Sequence, residues 1–215
     1  MDEPARKVPE IRGEIMRKKV DTLLPEIMEE LGIDCWLTFT REGAVDPIGS
    51  DIGSSGIVGR TACFFCRTGG DWKKICVAAS YDTTPIEAAG IYDEVIPYRK
   101  EGVGPRIKEV YGKLAPKKVA VNFSRDMPNS DGLTLGGYRY LQEWLDPGFS
   151  DRVTSAEELI VSFRGRKIDQ EVNILEKAVV FTQKLLLEAL SLDVITPGET
   201  RGSDVGAFIE KKVKD

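Results

Sequence analysis

Two short runs rich in β-branched and aromatic residues, TACFFCR (Thr61 to Arg67) and KKICVAAS (Lys73 to Ser80), are separated by TGGDW. A Gly-Gly pair supplies the backbone angles of a tight hairpin turn, so the two runs are expected to be antiparallel neighbours. What surrounds them limits the fold further. Before them comes CWLTFT (Cys35 to Thr40), a third strand pattern. That in turn follows a helical one, in which Ile11, Ile15, Met16, Val20, Leu23, Leu24, Ile27, Met28 and Leu31 recur between Pro9 and Leu31 and Gly32 acts as a stop. Pro25 removes one backbone donor from this helix and is expected to bend it.

After the hairpin the pattern alternates. Asp82 to Ala89 opens a short helix with Pro85 in its first turn, and Tyr92 to Tyr98 reads as a strand. Gly104 to Leu114 carries Ile107, Val110, Tyr111 and Leu114 at helical spacing, and Lys117 to Phe123 (KKVAVNF) is the clearest strand of all. The run from Leu133 to Leu145 suggests a helix with Ser130 or Asp131 as its N-cap, ended by Pro147 and Gly148. Val153 to Phe163 holds a short segment and a helix. A hairpin inside alternating strands and helices predicts an α/β protein, a mixed sheet flanked by helices.

The longest helical pattern covers 168–193. Val172, Leu175, Val179, Leu186 and Leu190 form one stripe, and Ile174, Ala178, Phe181, Leu185 and Leu192 the next. That apolar arc is wider than one partner covers. Beyond it lie only the turn Thr196 to Glu199 and a last helix from about Thr200 to Lys214. The 215 residues amount to roughly 1.4 domains of typical length. The expectation is a chain that stops part way into a second domain, or one whose helical pair another subunit completes.

The sequence contains no histidine. This excludes the Ser-His-Asp triad, the Cys-His pair and HExxH zinc sites, and leaves Asp, Glu, Lys or Tyr as a base and carboxylates or thiolates as metal ligands. Lys and Arg total 30 against 35 Asp and Glu, a net charge of −5 that argues against nucleic acid. The N-terminus has no apolar export region, and no window approaches the roughly 18 apolar residues of a membrane span. Cys35, Cys63, Cys66 and Cys76 sit among apolar residues and read as buried, reduced thiols, hence as a cytoplasmic protein.

Residues 41–60, REGAVDPIGSDIGSSGIVGR, carry five glycines with no sustained period and form a long loop. Its glycines lack GxGxxG spacing, and no Walker motif exists. Most simply it is a flexible connection; a sharper reading has Arg41, Asp46, Asp51 and Arg60 present paired charges to a zwitterionic or anionic ligand. The cysteines of CFFC are three positions apart on a strand and point to opposite faces, which favours core packing over a metal or redox half-site. Asp131-Gly132 is a turn signal, Arg164, Arg166 and Lys167 a basic junction usually solvated, and the terminal KKVK a solvated face.

The order of elements, together with EIRGEIMRKKVDTLL ahead of CWLTFT, VAVNFS before DGLTLGGY, LIVSFRGRKIDQEVNILEKA and VITPGET, resembles the creatinase / aminopeptidase P / prolidase family of pita-bread metallopeptidases. The resemblance implies that residues 1–165 are a ribonuclease-H-like N-terminal domain, and 166–215 the first two helices of a truncated catalytic domain. Family members hydrolyse bonds next to proline with two divalent ions, manganese, cobalt or zinc, held by two Asp, one His and two Glu that activate a bridging water. Those ligands lie later in the family's chain, so no catalytic or metal residue is carried over and no cofactor is expected here. The implied role is to shape the substrate site and support a homodimer, with the loop as lid and Arg41, Asp46 and Arg60 as its contacts to a proline-containing peptide. The alternative is a non-enzymatic relative that binds peptides or proteins.

Overall fold

A computed structural model describes residues 3–214 and divides the chain into two units, Met1–Arg166 and Lys167–Asp215. The first unit opens with helix α1, Glu3–Lys18, which passes through a five-residue π turn, Lys19–Leu23, into α2, Leu24–Glu30. Pro25 accounts for the widened turn. Its nitrogen cannot donate to the Asp21 carbonyl and its ring would press on that carbonyl, so the turn just upstream opens. Val20, Leu24, Ile27 and Met28 stay fully buried through this change of pitch. Gly32, at φ +60°, then ends the helix, its amide on the Glu29 carbonyl and that of Ile33 on Met28.

Strands β1, Cys35–Thr40, β2, Thr61–Thr68, and β3, Asp71–Ala79, form an antiparallel meander, and Gly69 and Gly70 make the tight turn at positive φ. The chain continues through α3, Thr83–Ala89, β4, Glu94–Tyr98, α4, Val103–Leu114, and β5, Val119–Val121. It then runs through α5, Leu135–Trp144, α6, Phe149–Arg152, β6, Val153–Ser155, and α7, Glu157–Gly165. The sheet order is β4-β3-β2-β1-β5-β6. β4 is parallel to β3, and β5 and β6 continue in parallel beyond β1. This is the mixed α/β sheet that the alternation predicts. β6 is the short segment left without a type in the sequence, because three residues are too few to show a period.

Period-two alternation sorts the strand residues onto two apolar layers. Trp36, Cys63, Phe65 and Ala78 face α2, α7 and three isoleucines of the 41–60 loop. Cys35, Leu37, Phe64, Cys66 and Val77 face α4, α5 and α6. Cys63 and Cys66 therefore do lie on opposite faces. The expectation of reduced thiols fails for one pair: the register sets Cys35 directly opposite Cys66, and the two form a disulfide. Cys63 and Cys76, also directly opposed, remain thiols with their sulfurs 3.6 Å apart.

The second unit consists of α8, Asp169–Ala189, and α9, Gly202–Lys214. The Glu171 carboxylate accepts from the Ile168 amide at 3.1 Å and caps α8. Lys212 on α9 pairs with Glu188 on α8 at 2.7 Å. Most of the apolar arc of α8 remains open, with Val179, Phe181 and Leu186 at 65%, 51% and 47% exposure, although Leu185 is buried. Among the described residues no helix is long and apolar enough to cross a membrane.

Candidate ligand site at the glycine-rich loop

The 41–60 segment is anchored rather than loose. Ile48, Ile52 and Ile57 are buried in the core, the Tyr92 hydroxyl donates to the Ile52 carbonyl at 2.6 Å, and a short 3-10 turn runs over Gly49–Asp51. Asp82 accepts from the amides of Val58 and Gly59 at 3.1 and 2.7 Å. A Cβ on Gly59 would stand 2.6 Å from that of Ala79, so only glycine permits this approach. From α7, Arg164 donates to the Asp51 carboxylate at 2.6 Å and to the Pro47 carbonyl at 2.7 Å. Asp51 is thus occupied in holding the loop. The basic junction is likewise not a solvated linker: Arg164 clamps the loop and Arg166 makes a two-pronged contact with Glu30 on α2, one arm at 2.8 Å. Partners over 100 residues away in sequence leave no local signal for such pairs.

Asp46 lies beneath the surface, at 3% exposure. Its carboxylate accepts from the Ile48 amide at 3.1 Å and from Asn122 Nδ2 at 2.7 Å, while Asn122 Oδ1 accepts from Trp36 Nε1 at 2.6 Å. The order of this network follows from its ends. The indole can only donate and the carboxylate can only accept, so the amide between them has one orientation. Burial raises the Asp46 pKa above its ordinary value, opposed by the two donated hydrogen bonds and the charge of Arg164. Gly132 closes over the group, and a Cβ there would fall 2.5 Å from the carboxyl carbon. The role of Asn122 and the close approach at Gly132 are absent from the sequence reading, which sees a strand end and a turn.

Arg41 and Arg60 are both exposed and come together at the rim of the loop. They share the lining of two adjoining cavities. One, about 130 Å³, is walled by Phe39, Thr40 and the Gly132–Gly137 segment at the start of α5. The other, about 350 Å³, adds Glu42, Val58, Tyr81 and Tyr98. The Arg60 guanidinium lies 4.9 Å from the Tyr140 ring centre, and Tyr140 stacks on Phe39 at 5.6 Å. The Tyr98 hydroxyl donates to the Arg60 carbonyl at 2.8 Å, and burial pushes its pKa up to about 12. Neither arginine has an acidic side-chain partner among the described residues. Thr134, rather than Ser130 or Asp131, caps α5: its hydroxyl accepts from the Gly137 amide at 3.1 Å. Ser130 instead ends a 3-10 turn over Pro128–Ser130, and Asp131 accepts from the Ser124 amide.

A two-metal centre does not fit these residues. The sequence has no histidine, and among the described residues no group of three or more Cys, Asp or Glu side chains is placed to hold a metal ion.

Comparison with solved structures places the fold. Dipeptidase PepE from Mycobacterium ulcerans superposes with a TM-score of 0.60 at 15% identity, covering 94% of this chain and 50% of that one. An Xaa-Pro dipeptidase from Bacillus anthracis gives 0.54 at 20% identity over 92% and 49%. An X-Pro aminopeptidase from Thermotoga maritima gives 0.52 at 19% over 86% and 48%. At these identities the likeness establishes the fold, one shared with a class of proline-directed peptidases. The chain spans about half the length of each. No protein-family model and no curated protein matches the sequence.

Proposed function

We propose that this chain is the N-terminal, substrate-shaping portion of a proline-specific metallopeptidase, whose two-metal centre belongs to chain outside these residues. The observation that carries the reading is the match of nearly the whole chain to only half of the Xaa-Pro peptidase folds. The open apolar arc of α8 supports it, since burying those side chains is worth about 1.5–3 kcal/mol each and two helices do not do it. In this reading residues 1–165 form the first domain, and residues 166–215 begin the catalytic one. Arg41 and Arg60 face a proline-containing peptide in a homodimer, and Asp46 holds the loop that carries Arg41. The metal pair would bind and activate water; the part of these residues is to position the peptide and narrow its entry.

A cytoplasmic setting suits peptide turnover, but the Cys35–Cys66 bond belongs to oxidising compartments, and it removes the cysteine argument for that location. The test is the gene beyond codon 215, followed by assay of the continued protein on an Xaa-Pro dipeptide with manganese or cobalt. An in-frame continuation bearing two Asp, one His and two Glu, with proline released, is the expected result. A stop codon, or a continuation without those ligands, refutes the peptidase reading and leaves a binding module.

A further inference from the structure

We infer that the cavity between Arg41 and Arg60 is a binding site for a small oxyanion, a carboxylate or a phosphate group. Two guanidinium groups share one small concavity, and no carboxylate lines its walls. Glu42 lines only the adjoining space and, among the described residues, forms no ion pair with either guanidinium, so within the smaller cavity the two like charges repel and their donors match the oxygens of a carboxylate or phosphate in paired geometry. The Arg60 planar group is already positioned by Tyr140, so ordering it on binding costs little. Gly136 and Gly137 present backbone without side chains to the cavity, and a Cβ at Gly136 would meet nothing closer than 4.0 Å, so an anion can approach the chain there. The first-turn amides of Leu135 and Gly136 have no intrahelical acceptors and add positive potential on the same side.

Two acids border the site, Glu42 in the adjoining space and Asp46 behind Gly132. The Asp46 carboxylate is turned inward, accepting from the Ile48 amide and Asn122 on the far side of the Gly132 backbone. The cavity's volume of about 130 Å³ suits one anionic group. The adjoining space with Tyr81 and Tyr98 would take whatever that group is attached to. This deepens the proposed role, because a peptide carboxylate would use the same two arginines. It does not depend on that role, since every residue involved is in this chain.

The test is titration of the whole 215-residue chain with sodium acetate and, separately, with sodium phosphate at constant ionic strength set by chloride. The readout is the amide resonances of Leu135, Gly136 and Gly137. Saturable shifts with either anion and none with chloride are expected, and Arg41→Gln and Arg60→Gln should each weaken the association about tenfold, the size of one charge-assisted hydrogen bond. Both arginines are exposed, so the variants retain the wild-type spectrum elsewhere. Tighter acetate binding identifies a carboxylate source, and tighter phosphate binding a phosphorylated one. Absence of saturation with both anions, or shifts that persist undiminished in the double Arg variant, overturns the inference. Binding with a gene that encodes no metal ligands would leave the site standing while the peptidase reading falls.

Discussion

Exchanging Asp46 and Asn122 tests whether the loop is held by the direction of its hydrogen bonds. In Asp46→Asn the amide at 46 still accepts from Ile48, but its NH2 then faces the NH2 of Asn122. One charge-assisted hydrogen bond is lost and a buried donor is left unpaired, a cost of about 3 kcal/mol after the relief of burying less charge. For a chain of this size that lowers Tm by roughly 6–12 °C. Asn122→Asp sets two buried carboxylates in contact, so one must hold a proton, and the loss is at least as large at neutral pH.

The pH dependence has a definite sign. A carboxyl whose pKa is raised by folding binds its proton more tightly in the folded state. Stability therefore falls as pH rises from the unfolded value through the raised folded one. In Asn122→Asp that window widens upward, so its deficit is smallest in acid and grows as pH rises towards neutrality and beyond. The double exchange restores all three hydrogen bonds with the polarity of one link reversed. The new carboxylate at position 122 accepts from the Trp36 indole and from the new amide at position 46, and the oxygen of that amide accepts from Ile48. The doubly exchanged protein should return to within about 1 kcal/mol of the parent, a favourable coupling of about 5 kcal/mol, well above the usual range for neighbours. Urea unfolding followed by tryptophan fluorescence at about pH 5 and about pH 7 measures all four proteins, with equal slopes confirming comparable unfolding. Additive losses in the double variant would refute the directional argument.

Three other outcomes follow from the same geometry. Ala115 ends α4 at φ 45°, and Ala115→Gly should stabilise the protein by about 1 kcal/mol in thermal unfolding; no gain would mean the left-handed cap carries no strain. Oxidised protein unfolded without reductant should show two reactive thiols, Cys63 and Cys76, and four after reduction; four from the outset would place Cys35 and Cys66 in the reduced state. Burial pushes Tyr98 and Tyr111 up to about 12 and raises Tyr92 well above its ordinary value, so absorbance titration should find three phenols ionising later in the folded chain than unfolded. By linkage the contribution of Tyr98 and Tyr111 to stability is present below the unfolded value and lost as pH rises through about 12.

The hairpin and the alternation of helices and strands were legible because each depends on neighbours a few residues apart, as at Gly69-Gly70 and along β1. The π turn before Pro25 was only half legible: proline announces a disturbance, but its form depends on keeping Val20 and Leu24 both buried. At the candidate site, residue type put forward Arg41, Asp46, Asp51 and Arg60 together. Separating the exposed arginines from Asp46 and Asp51 needed three dimensions, because burial by Gly132 and capture by Arg164 come from chain about 90 and 110 positions away. The Cys35–Cys66 pair was illegible for a related reason, since only strand register sets those two opposite each other.

The division of labour within the 41–60 segment also bears on how such a protein can change. Its isoleucines, Asp46 and Asp51 are committed to the fold, whereas Arg41 and Arg60 stand at the rim with little else depending on them. If the two arginines bind the proposed anion, a heritable change at either rim position would alter what is recognised and leave the scaffold its margin of stability, because exposed substitutions shift stability by only about 0.5 kcal/mol. Under that proposal, selection could retune ligand preference one substitution at a time, without a compensating repair elsewhere in the core.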